Sequence, residues 1–265
     1  MRRLITGYSN PTVKFLRSLR EKKPRKASGK FLAEGLRLLT DARASGQLPE
    51  LLVMATGREP QALLGALEAD VLATGGEVLE MSADLLTKVT GKDNPQGVAG
   101  VFAEFDTALT AIDRSSAKIW LVAQALRDPG NLGTMLRTGD AVGAGGLILL
   151  DDCADPFSVE AVRASMGAVF TQTIAQARWE EFLPWLRGGP GQLVAASLRD
   201  AVDYRGAPYA APCLLLVGNE SRGLPEEYEM SCDLRVTIPM NGRADSLNAA
   251  VAAAVLAYEA LAALG

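Results

Sequence analysis

The sequence predicts an α/β protein built from two successive units. From about residue 51 onward, short apolar segments alternate with amphipathic segments, which is the pattern of strand-helix-strand units. Some apolar segments, such as 213–217, contain no charged or amide side chain, which indicates a parallel sheet covered on both faces. With 265 residues, of which 48% are hydrophobic, the chain is long enough for two separate cores.

The first unit is predicted to span residues 1–105 as a small α/β/α domain. Its first 30 residues are expected to form a basic arm, because they contain ten Lys and Arg side chains and only one carboxylate, that of Glu21, which gives a net charge of +9. Residues 31–44 have the apolar spacing of an amphipathic helix. The alternation then predicts strands at 51–55, 77–81 and 97–102, with helices at 61–72 and 83–89.

A segment of low hydrophobicity, 106–117, is predicted to be a linker to a second α/β domain at 118–265. The apolar segments predict strands at 119–125, 147–150, 172–174, 193–196, 213–217 and 236–238. The periodic segments predict helices at 132–142, 159–169, 179–186 and 247–264.

Composition excludes several classes of function. The chain has no histidine, which excludes Ser-His-Asp triads, Cys-His pairs and His-ligated metal sites. Cys153, Cys213 and Cys232 have no paired spacing, so neither a disulfide framework nor a metal site is expected. The polar start is unlike a secretory signal, and the Ala-rich segment 249–264 contains Glu259, so no membrane span is expected and a cytoplasmic location is predicted.

The positive charge is concentrated at one end. Residues 31–265 must carry −13 to give the total of −4. A basic segment attached to an acidic body is typical of phosphate binding. It is equally typical of a solvated surface, and charge alone does not separate the two interpretations.

Three short motifs carry most of the functional information, and the first is Asn131-x-Gly133-x-x-x-Arg137. It follows an Asp-Pro-Gly turn between a predicted strand and a predicted helix, so Asn131 is expected to cap that helix. Arg137 lies nearly two turns later and can share a helix face with Asn131. The purely structural alternatives are an ordinary helix cap for Asn131 and a surface ion-pair partner for Arg137.

The second motif follows the most apolar strand and reads Gly218-Asn219-Glu220-Ser221-Arg222-Gly223. The glycines permit a ligand to approach the backbone closely. A carboxylate at the end of a central strand is costly unless it has a role, although a simple turn is the alternative.

The third motif leads into the last helix and reads Pro239-Met240-x-Gly242-x-x-x-Ser246-Leu247-Asn248. Ser246 is the expected N-cap of that helix. Asn248 would then lie inside the first turn, where asparagine is a mediocre helix former, which indicates a specific hydrogen bond.

Taken together, the three motifs resemble those of the SpoU/TrmH branch of the SPOUT RNA methyltransferases, from about residue 118 to the end. The segment 10–102 is similar to the substrate-binding domain that precedes the catalytic domain in the family's ribosomal RNA members. The resemblance implies transfer of a methyl group from S-adenosylmethionine to a ribose 2′-hydroxyl of RNA, with 23S ribosomal RNA favoured. Methylation of tRNA and a non-catalytic RNA-binding protein on the same fold are the alternatives.

The resemblance also implies site residues. The implied catalytic residues are Asn131, Arg137, Glu220, Ser246 and Asn248. Cofactor contacts are implied for Ser197, Leu198, Gly218, Asn219, Ile238, Met240, Ser246 and Leu247. The predicted RNA contacts are Arg2, Arg3, Lys14, Arg17, Lys22, Lys23, Arg25, Lys26, Lys30 and Arg127.

In this interpretation Arg137 clamps an RNA phosphate, since a guanidinium is a fixed cation under ordinary conditions. Glu220 would hold Arg137 or the amides of its own loop. The resemblance further implies a deep trefoil knot at the C-terminal cofactor site. It also implies a homodimer in which the last helix and the helix of the first motif pack across a two-fold axis.

Overall fold

The computed structural model describes residues 1–91, 96–219 and 221–265, and the chain forms two compact units. The first comprises Met1–Phe105 and Phe157–Thr171, and the second comprises Asp106–Pro156 and Gln172–Gly265. This division differs from the expected one in two places. Phe157–Thr171 belongs to the first unit, and the expected linker at 106–117 belongs to the second.

The first unit contains a mixed five-stranded sheet. Numbered along the chain, its strands are β1 (Arg2–Ile5), β2 (Lys30–Glu34), β3 (Leu51–Ala55), β4 (Glu77–Met81) and β5 (Val98–Ala103). The order across the sheet is β1-β4-β3-β5-β2. Strands β1, β4 and β3 are parallel to one another, whereas β5 runs antiparallel to both β3 and β2.

Helices cover both faces of this sheet. They are α1 (Pro11–Ser18), α2 (Lys22–Ser28), α3 (Leu36–Ala44), α4 (Ala62–Ala73), α5 (Ala83–Thr90) and α7 (Val159–Ala164). Helix α1 packs with α5, and α3 packs with α4. Because side chains alternate between the two faces of a strand, Val53 packs into the core shared with α1 and α5, while its buried neighbours Leu52 and Met54 face the other way.

Two expectations for the first unit were wrong. Residues 1–30 are not an arm, because β1 pairs with β4 and the side chains of Val13, Leu16 and Leu19 are fully buried. Residues 31–44 are not one helix, because the chain is a strand as far as Glu34 and turns at Gly35, whose φ is 115°, before α3 begins. A strand buried on both faces has a run of apolar residues that imitates helical spacing.

An aromatic cluster anchors the segment Phe157–Thr171 within the first unit. Phe31 lies in contact with each of the other four rings, at centroid distances between 5.0 and 6.1 Å. The cluster consists of Phe31, Phe102, Phe105, Phe157 and Phe170. The helix predicted at 159–169 ends at Ala164, because the backbone φ is positive at Met166 and Gly167.

The second unit contains a seven-stranded sheet in which every pair of neighbouring strands is parallel, as predicted. Its strands are β6 (Ile119–Gln124), β7 (Gly146–Leu150), β8 (Thr173–Ala177), β9 (Gln192–Ala196), β10 (Val202–Asp203), β11 (Cys213–Val217) and β12 (Leu234–Thr237). The order is β10-β12-β9-β11-β6-β7-β8. Only the two-residue strand β10 lacks a counterpart in the sequence prediction.

The helices of the second unit are α6 (Pro129–Val142), α8 (Trp179–Arg187), α9 (Glu226–Met230) and α10 (Ala249–Leu264). Helices α6 and α10 pack against each other, and α10 also contacts β11. Trp120 and Trp179 are buried in the core, as expected for apolar residues of strands and helices.

The expected linker is packed structure. It holds two short 3₁₀ helices, and Arg114 in the second donates hydrogen bonds to the carbonyl oxygens of Trp185 and Leu186 at 2.7 and 2.6 Å. The Arg114 guanidinium also lies 4.3 Å from the Trp185 ring centroid. Throughout the described ranges, no helix is long and apolar enough to span a bilayer.

Candidate active site

A cavity of about 620 Å³ lies at the carboxyl ends of three neighbouring strands of the parallel sheet, β12, β9 and β11. Its walls come from the residues that follow each strand and from the start of α10. This is the position where open α/β sheets bind ligands, because the loops after adjacent parallel strands diverge there and leave a cleft.

Every residue predicted to contact the cofactor lies in the cavity wall. These residues are Ser197 and Leu198 after β9, Gly218 and Asn219 after β11, and Ile238, Met240, Ser246 and Leu247 after β12. The structure thus brings together side chains from three separate stretches of sequence. Their contact with a cofactor stays a prediction.

The described ends of the second motif approach each other so closely that Gly218 has no room for a side chain. A Cβ atom on Gly218 would stand 2.5 Å from the carbonyl carbon of Gly223 and 2.6 Å from the amide nitrogen of Leu224. The Asn219 side chain accepts hydrogen bonds from the amides of Ser221 and Arg222 at 3.0 and 3.2 Å. Backbone therefore forms this side of the cavity.

The Asn219 side chain also fixes the loop to the neighbouring strand. Its Nδ2 donates to the carbonyl oxygen of Ala125, directly after β6, at 2.9 Å. Glu220, the carboxylate of this motif, lies outside the residues that the structure describes. The part of the motif that is described holds the cavity wall in place.

The cavity wall contains a buried carboxylate, Glu229, that the sequence analysis did not predict as a site residue. Ser197 Oγ donates to Glu229 Oε1 at 2.6 Å, and both residues are only 8% exposed. The same hydroxyl accepts from the Arg199 amide at 3.0 Å, and Arg199 forms an ion pair with Glu226 at 2.5 Å. The hydrogen bond that Arg199 donates to Glu226 raises the pKa of Arg199. Glu229 therefore fixes the loop after β9.

Glu229 was missed because α9 was not predicted. The signal was present, since a proline followed by two glutamates is typical of a helix N-terminus. The helix has only five residues, which is too short for a convincing apolar period.

The first and third motifs meet through a pair of asparagines. Asn248 Nδ2 donates to Asn131 Oδ1 at 2.9 Å, which joins the start of α6 to the start of α10. Asn248 directly follows Leu247 of the cavity wall. The specific hydrogen bond expected of Asn248 is therefore present, and it ties the first motif to the cavity.

The capping roles expected of these motifs were wrong. The N-cap of α6 is Asp128, whose Oδ1 accepts from the Asn131 amide at 2.7 Å, so Asn131 lies inside the first turn. The N-cap of α10 is Asn248, whose Oδ1 accepts from the amides of Ala250 and Val251 at 2.9 and 3.3 Å. Ser246 lies before the helix, exposed at the cavity.

Comparison with known proteins decides the family. The sequence model described as the SpoU rRNA methylase family matches residues 118–258, and one described as an MRM3-like substrate binding domain matches residues 10–100. The chain belongs to the SpoU rRNA methylase family. The resemblance drawn from the three motifs is thereby confirmed.

Individual relatives match over nearly the whole chain. An AdoMet-bound rRNA methyltransferase from Sinorhizobium meliloti is 40% identical, with a TM-score of 0.93 over 100% of this chain and 99% of that one. The 23S rRNA (guanosine(2553)-2′-O)-methyltransferase RlmP of Bacillus subtilis is 32% identical over 96% of this chain and 97% of its own. The 23S rRNA (uridine(2479)-2′-O)-methyltransferase of Streptomyces viridochromogenes is 32% identical over 98% and 92%.

Arg137 stands apart from the cavity of this family member. It lies on the exposed side of α6 and is not one of the residues that form the cavity wall. Within the described chain its guanidinium has neither a hydrogen-bond nor an ion-pair partner. The predicted catalytic set is therefore distributed, with Ser246 at the cavity, Asn131 and Asn248 joined beside it, and a free cation on the helix surface.

Many of the predicted RNA contacts already have acceptors. Ion pairs join Arg2 to Glu68 and Glu80, Arg3 to Glu77, Lys26 to Glu104, Lys30 to Glu50 and Arg127 to Asp152. Arg25 is buried and donates to the Leu19 carbonyl oxygen at 2.9 Å. Among the described residues, no acidic side chain pairs with Lys14, Arg17, Lys22 or Lys23.

Cys213 is buried in the core, whereas Cys153 and Cys232 are partly buried. Burial raises the pKa of Cys153 to about 11 and the pKa of Cys213 and Cys232 to about 12. In the described parts of the chain, His, Cys, Asp and Glu side chains form no group of three or more that could hold a metal ion.

Proposed function

We propose that this protein methylates a ribose 2′-hydroxyl of 23S ribosomal RNA with S-adenosylmethionine as the methyl donor. The observation that carries the proposal is the cavity at the ends of β9, β11 and β12, whose wall contains all eight residues predicted to contact the cofactor. The two curated relatives described above are named for this reaction on 23S rRNA. Transfer RNA is the less favoured substrate.

The cavity suits the cofactor in size and in the chemistry of its walls. A volume of about 620 Å³ is in the range of sites for ligands of this size. Leu198, Ile238 and Leu247 offer apolar surface for an adenine ring, and Gly218 contributes backbone to the wall. Asp245 offers negative charge to a donor that carries an ammonium group and a sulfonium, whereas Glu229 is bonded to Ser197 and lies 3.8 Å from the Arg199 guanidinium.

When bound, S-adenosylmethionine supplies a methyl group on a positively charged sulfur. The residues of this chain then have to align a ribose hydroxyl with that carbon and assist the loss of its proton. We assign Arg137 the role of a clamp on an RNA phosphate, because its guanidinium is exposed and unpaired in the described chain. Asn131, Asn248 and Ser246 would hold the motif loops, and Glu220 would hold Arg137 or loop amides.

A homodimer is part of the proposal. The last helix α10 presents an apolar stripe to solvent at Val251, Val255 and Tyr258, and two of these side chains are about half exposed, at 48% and 55%. Such a stripe on a helix is typical of a subunit interface. Arg137 lies on α6, which packs with α10, so dimer formation would place this cation beside the contact between the copies.

Light scattering tests the dimer. The unchanged protein at micromolar concentration is expected to have twice the mass of one chain, and Tyr258→Glu is expected to shift it towards the monomer, because a charge would be buried at the interface. A monomeric unchanged protein would contradict the proposal.

We also propose the deep trefoil knot for the C-terminal part. Strand β12 lies on the far side of β9 from β11, although it follows β11 in sequence, and α10 then returns to pack on β11 and α6. This crossing supports a threaded path at the cavity. The cytoplasmic location expected from the sequence stays a prediction.

The experiment for the reaction is transfer of a labelled methyl group to purified 23S rRNA and to total tRNA, followed by mapping. Incorporation into 23S rRNA at a linkage that resists alkaline hydrolysis is the expected result, since a methylated 2′-oxygen cannot attack the neighbouring phosphate. Methylation of a base, or of tRNA alone, would overturn the proposal. Absence of any affinity for the donor in calorimetry would do so as well.

A further inference from the structure

A second concave site lies in the first unit, formed by α1 with the residues just after it, the end of α5 and the helix α7. It has a volume of about 610 Å³. Its wall carries four basic side chains, which are Lys14, Arg17, Arg20 and Arg163. We call this site the basic groove. Two of its cations, Arg20 and Arg163, were not among the predicted RNA contacts.

Helix geometry directs positive charge into the basic groove. Lys14 and Arg17 are three positions apart on α1 and therefore lie on the same face of the helix. Val13 and Leu16 on the other side of α1 are fully buried in the core, which fixes the rotation of the helix. The two cations are exposed as a consequence of that packing.

Arg20 is held in the groove by a glycine. Gly91 is the C-cap of α5 with a φ of 70°, and the Arg20 guanidinium occupies the space that a Cβ on Gly91 would take. A cation at the C-terminal end of a helix is stabilised by the carbonyl groups that lack a partner there. The position of this guanidinium is thus set by the end of α5.

Unlike the paired cations elsewhere in residues 1–30, those of the basic groove keep their charge available. Lys14, Arg17 and Arg20 have no carboxylate partner in the described chain, whereas Arg2 and Arg3 are paired with glutamates. The neutralised cations cannot contribute as strongly to the attraction of an anion, because their field is cancelled at short range.

The opposite wall adds donors and limits the charge. Arg163 of α7 is 47% exposed, and its distance of 3.9 Å from Glu34 leaves its other guanidinium nitrogens to a ligand. Thr90 lines the groove with a buried hydroxyl that has no hydrogen-bond partner among the described residues. Glu21 and Glu160 are exposed wall residues, so the cations alternate with carboxylates. This arrangement suits spaced phosphates better than a continuous block of negative charge.

We propose that the basic groove binds the sugar-phosphate backbone of the RNA substrate, with Lys14, Arg17, Arg20 and Arg163 as its phosphate contacts. The inference rests on the proposed function, since it takes RNA as the substrate. Arginine favours such contacts because its planar fork donates two hydrogen bonds to one phosphate. Contacts to the backbone position an RNA without reading its sequence.

The test is RNA binding by the double variant Arg17→Gln/Arg20→Gln. Binding is measured by the fluorescence anisotropy of a labelled 23S rRNA fragment across a series of salt concentrations. We expect affinity to fall about tenfold and the slope of log K against log salt to become shallower by roughly 1.4 to 1.8, from two lost phosphate contacts. Arg163→Gln alone is expected to shift the slope by about half as much.

The matched control is Arg37→Gln/Arg178→Gln, which removes two exposed arginines that lie outside the groove and form no ion pair among the described residues. Its affinity and slope are expected to stay within about twofold of the unchanged protein, because generic loss of charge acts only weakly at these salt concentrations. An equal loss in the control would show that net charge, and not the groove, governs binding, and would overturn the inference.

Further outcomes separate this inference from the proposed function. Calorimetry with S-adenosylmethionine is expected to give the same affinity for the groove variant and the unchanged protein, and an unchanged thermal unfolding curve is expected to show that the first unit of the variant is folded. Normal RNA binding by a folded groove variant would overturn the groove and leave the proposed function intact. Failure of the unchanged protein to bind rRNA would overturn both. Loss of binding to a polyglutamate probe with RNA binding retained would assign the groove to an acidic protein and overturn the inference.

Discussion

The two sites of this protein are built in opposite ways. The cavity of the second unit is made by strand ends, glycine and short polar side chains that bind backbone, and its buried carboxylate Glu229 already has a hydrogen-bond partner. The basic groove of the first unit is lined by long cations, of which Lys14, Arg17 and Arg20 have no carboxylate partner in the described chain and Arg163 lies 3.9 Å from Glu34. The shape of the backbone therefore defines the cavity, whereas positive charge that is largely unpaired defines the basic groove.

Arg137→Ala tests whether the unpaired cation of the second unit takes part in methyl transfer. The groove cations of the first unit, by contrast, are expected to contribute only to RNA binding. We expect methyl transfer to fall at least about 100-fold, because the substrate ribose loses its alignment. The affinity for S-adenosylmethionine is expected to stay within about twofold, since Arg137 is not in the cavity wall. Single-turnover transfer and calorimetry measure the two quantities.

Arg137→Lys is the matched control because it keeps the charge and removes the planar fork. Partial activity in this variant would show that charge matters more than two-pronged recognition, whereas activity as low as that of the alanine variant indicates a specific phosphate clamp. Full turnover by Arg137→Ala would remove this residue from the mechanism and erase the contrast between the two sites.

Gly218→Ala tests whether the cavity depends on the close approach of the backbone at Gly218 to the backbone at Gly223. The new Cβ would stand 2.5 Å from Gly223, so the loop must move, and we expect a loss of about 1–3 kcal/mol in the free energy of unfolding. Affinity for S-adenosylmethionine is expected to fall about tenfold. Thermal unfolding and calorimetry are the measurements.

The control for this steric effect is Gly65→Ala on α4, where a Cβ would meet no atom within 4 Å. That change is expected to leave the protein equally stable or up to about 1 kcal/mol more stable, because alanine favours the helix. If both alanine variants bound the cofactor normally, the cavity would not depend on the close approach at Gly218.

Glu229→Gln tests the buried carboxylate of the cavity wall. The amide can still accept the hydrogen bond from Ser197 but carries no charge, so we expect only about a fivefold loss of affinity for the positively charged donor. Glu227→Gln on the same helix is exposed and serves as the control. A neutral result at both positions would make Glu229 a purely structural residue.

The cysteines offer a probe of one unit alone, because Cys153, Cys213 and Cys232 all lie in the second. Burial raises their pKa from 9.0 to about 11 or 12, so at pH 8 we expect alkylation at least about tenfold slower than in denaturant. The raised pKa favours the folded state fully below pH 9, and this contribution is lost as the pH rises through about 11 to 12.

Groove substitutions in the first unit are expected to leave this alkylation rate unchanged. Rapid native-state alkylation at pH 8 would contradict the burial of the thiols. A faster rate in the groove variants would show that the two sites are not energetically independent.

The sequence predicted the cavity of the second unit far better than the basic groove of the first unit, and the reason is physical. The family resemblance named Ser197, Gly218 and Ile238, and these residues lie at one edge of the sheet because neighbouring parallel strands end together. The ion pairs that remove Arg2 and Lys26 from the free basic surface join residues 78 positions apart, a separation that no local pattern reveals. Charge counting therefore predicted an arm where the structure has a folded sheet edge and two helices.

Local competition explains the remaining differences. Each of the helices α6 and α10 has more than one polar residue near its start that could cap it. Asp128 caps α6 and Asn248 caps α10, whereas the side-chain oxygen of Asn131 accepts a hydrogen bond from Asn248. The strand β2 imitates a helix since both of its faces are buried. The membership of Phe157 and Phe170 in the first unit depends on their packing with Phe31, which is a tertiary contact.

The path of residues Phe157–Thr171 has a consequence for how such genes change over time. One unit is encoded in two separate stretches, so a single crossover at residue 105 would hand a recipient gene an incomplete domain and leave Phe157 and Phe170 without the rings that bury them. Shuffling of the first unit between relatives requires the later stretch to travel with it. The two halves of the gene are therefore expected to share one line of descent.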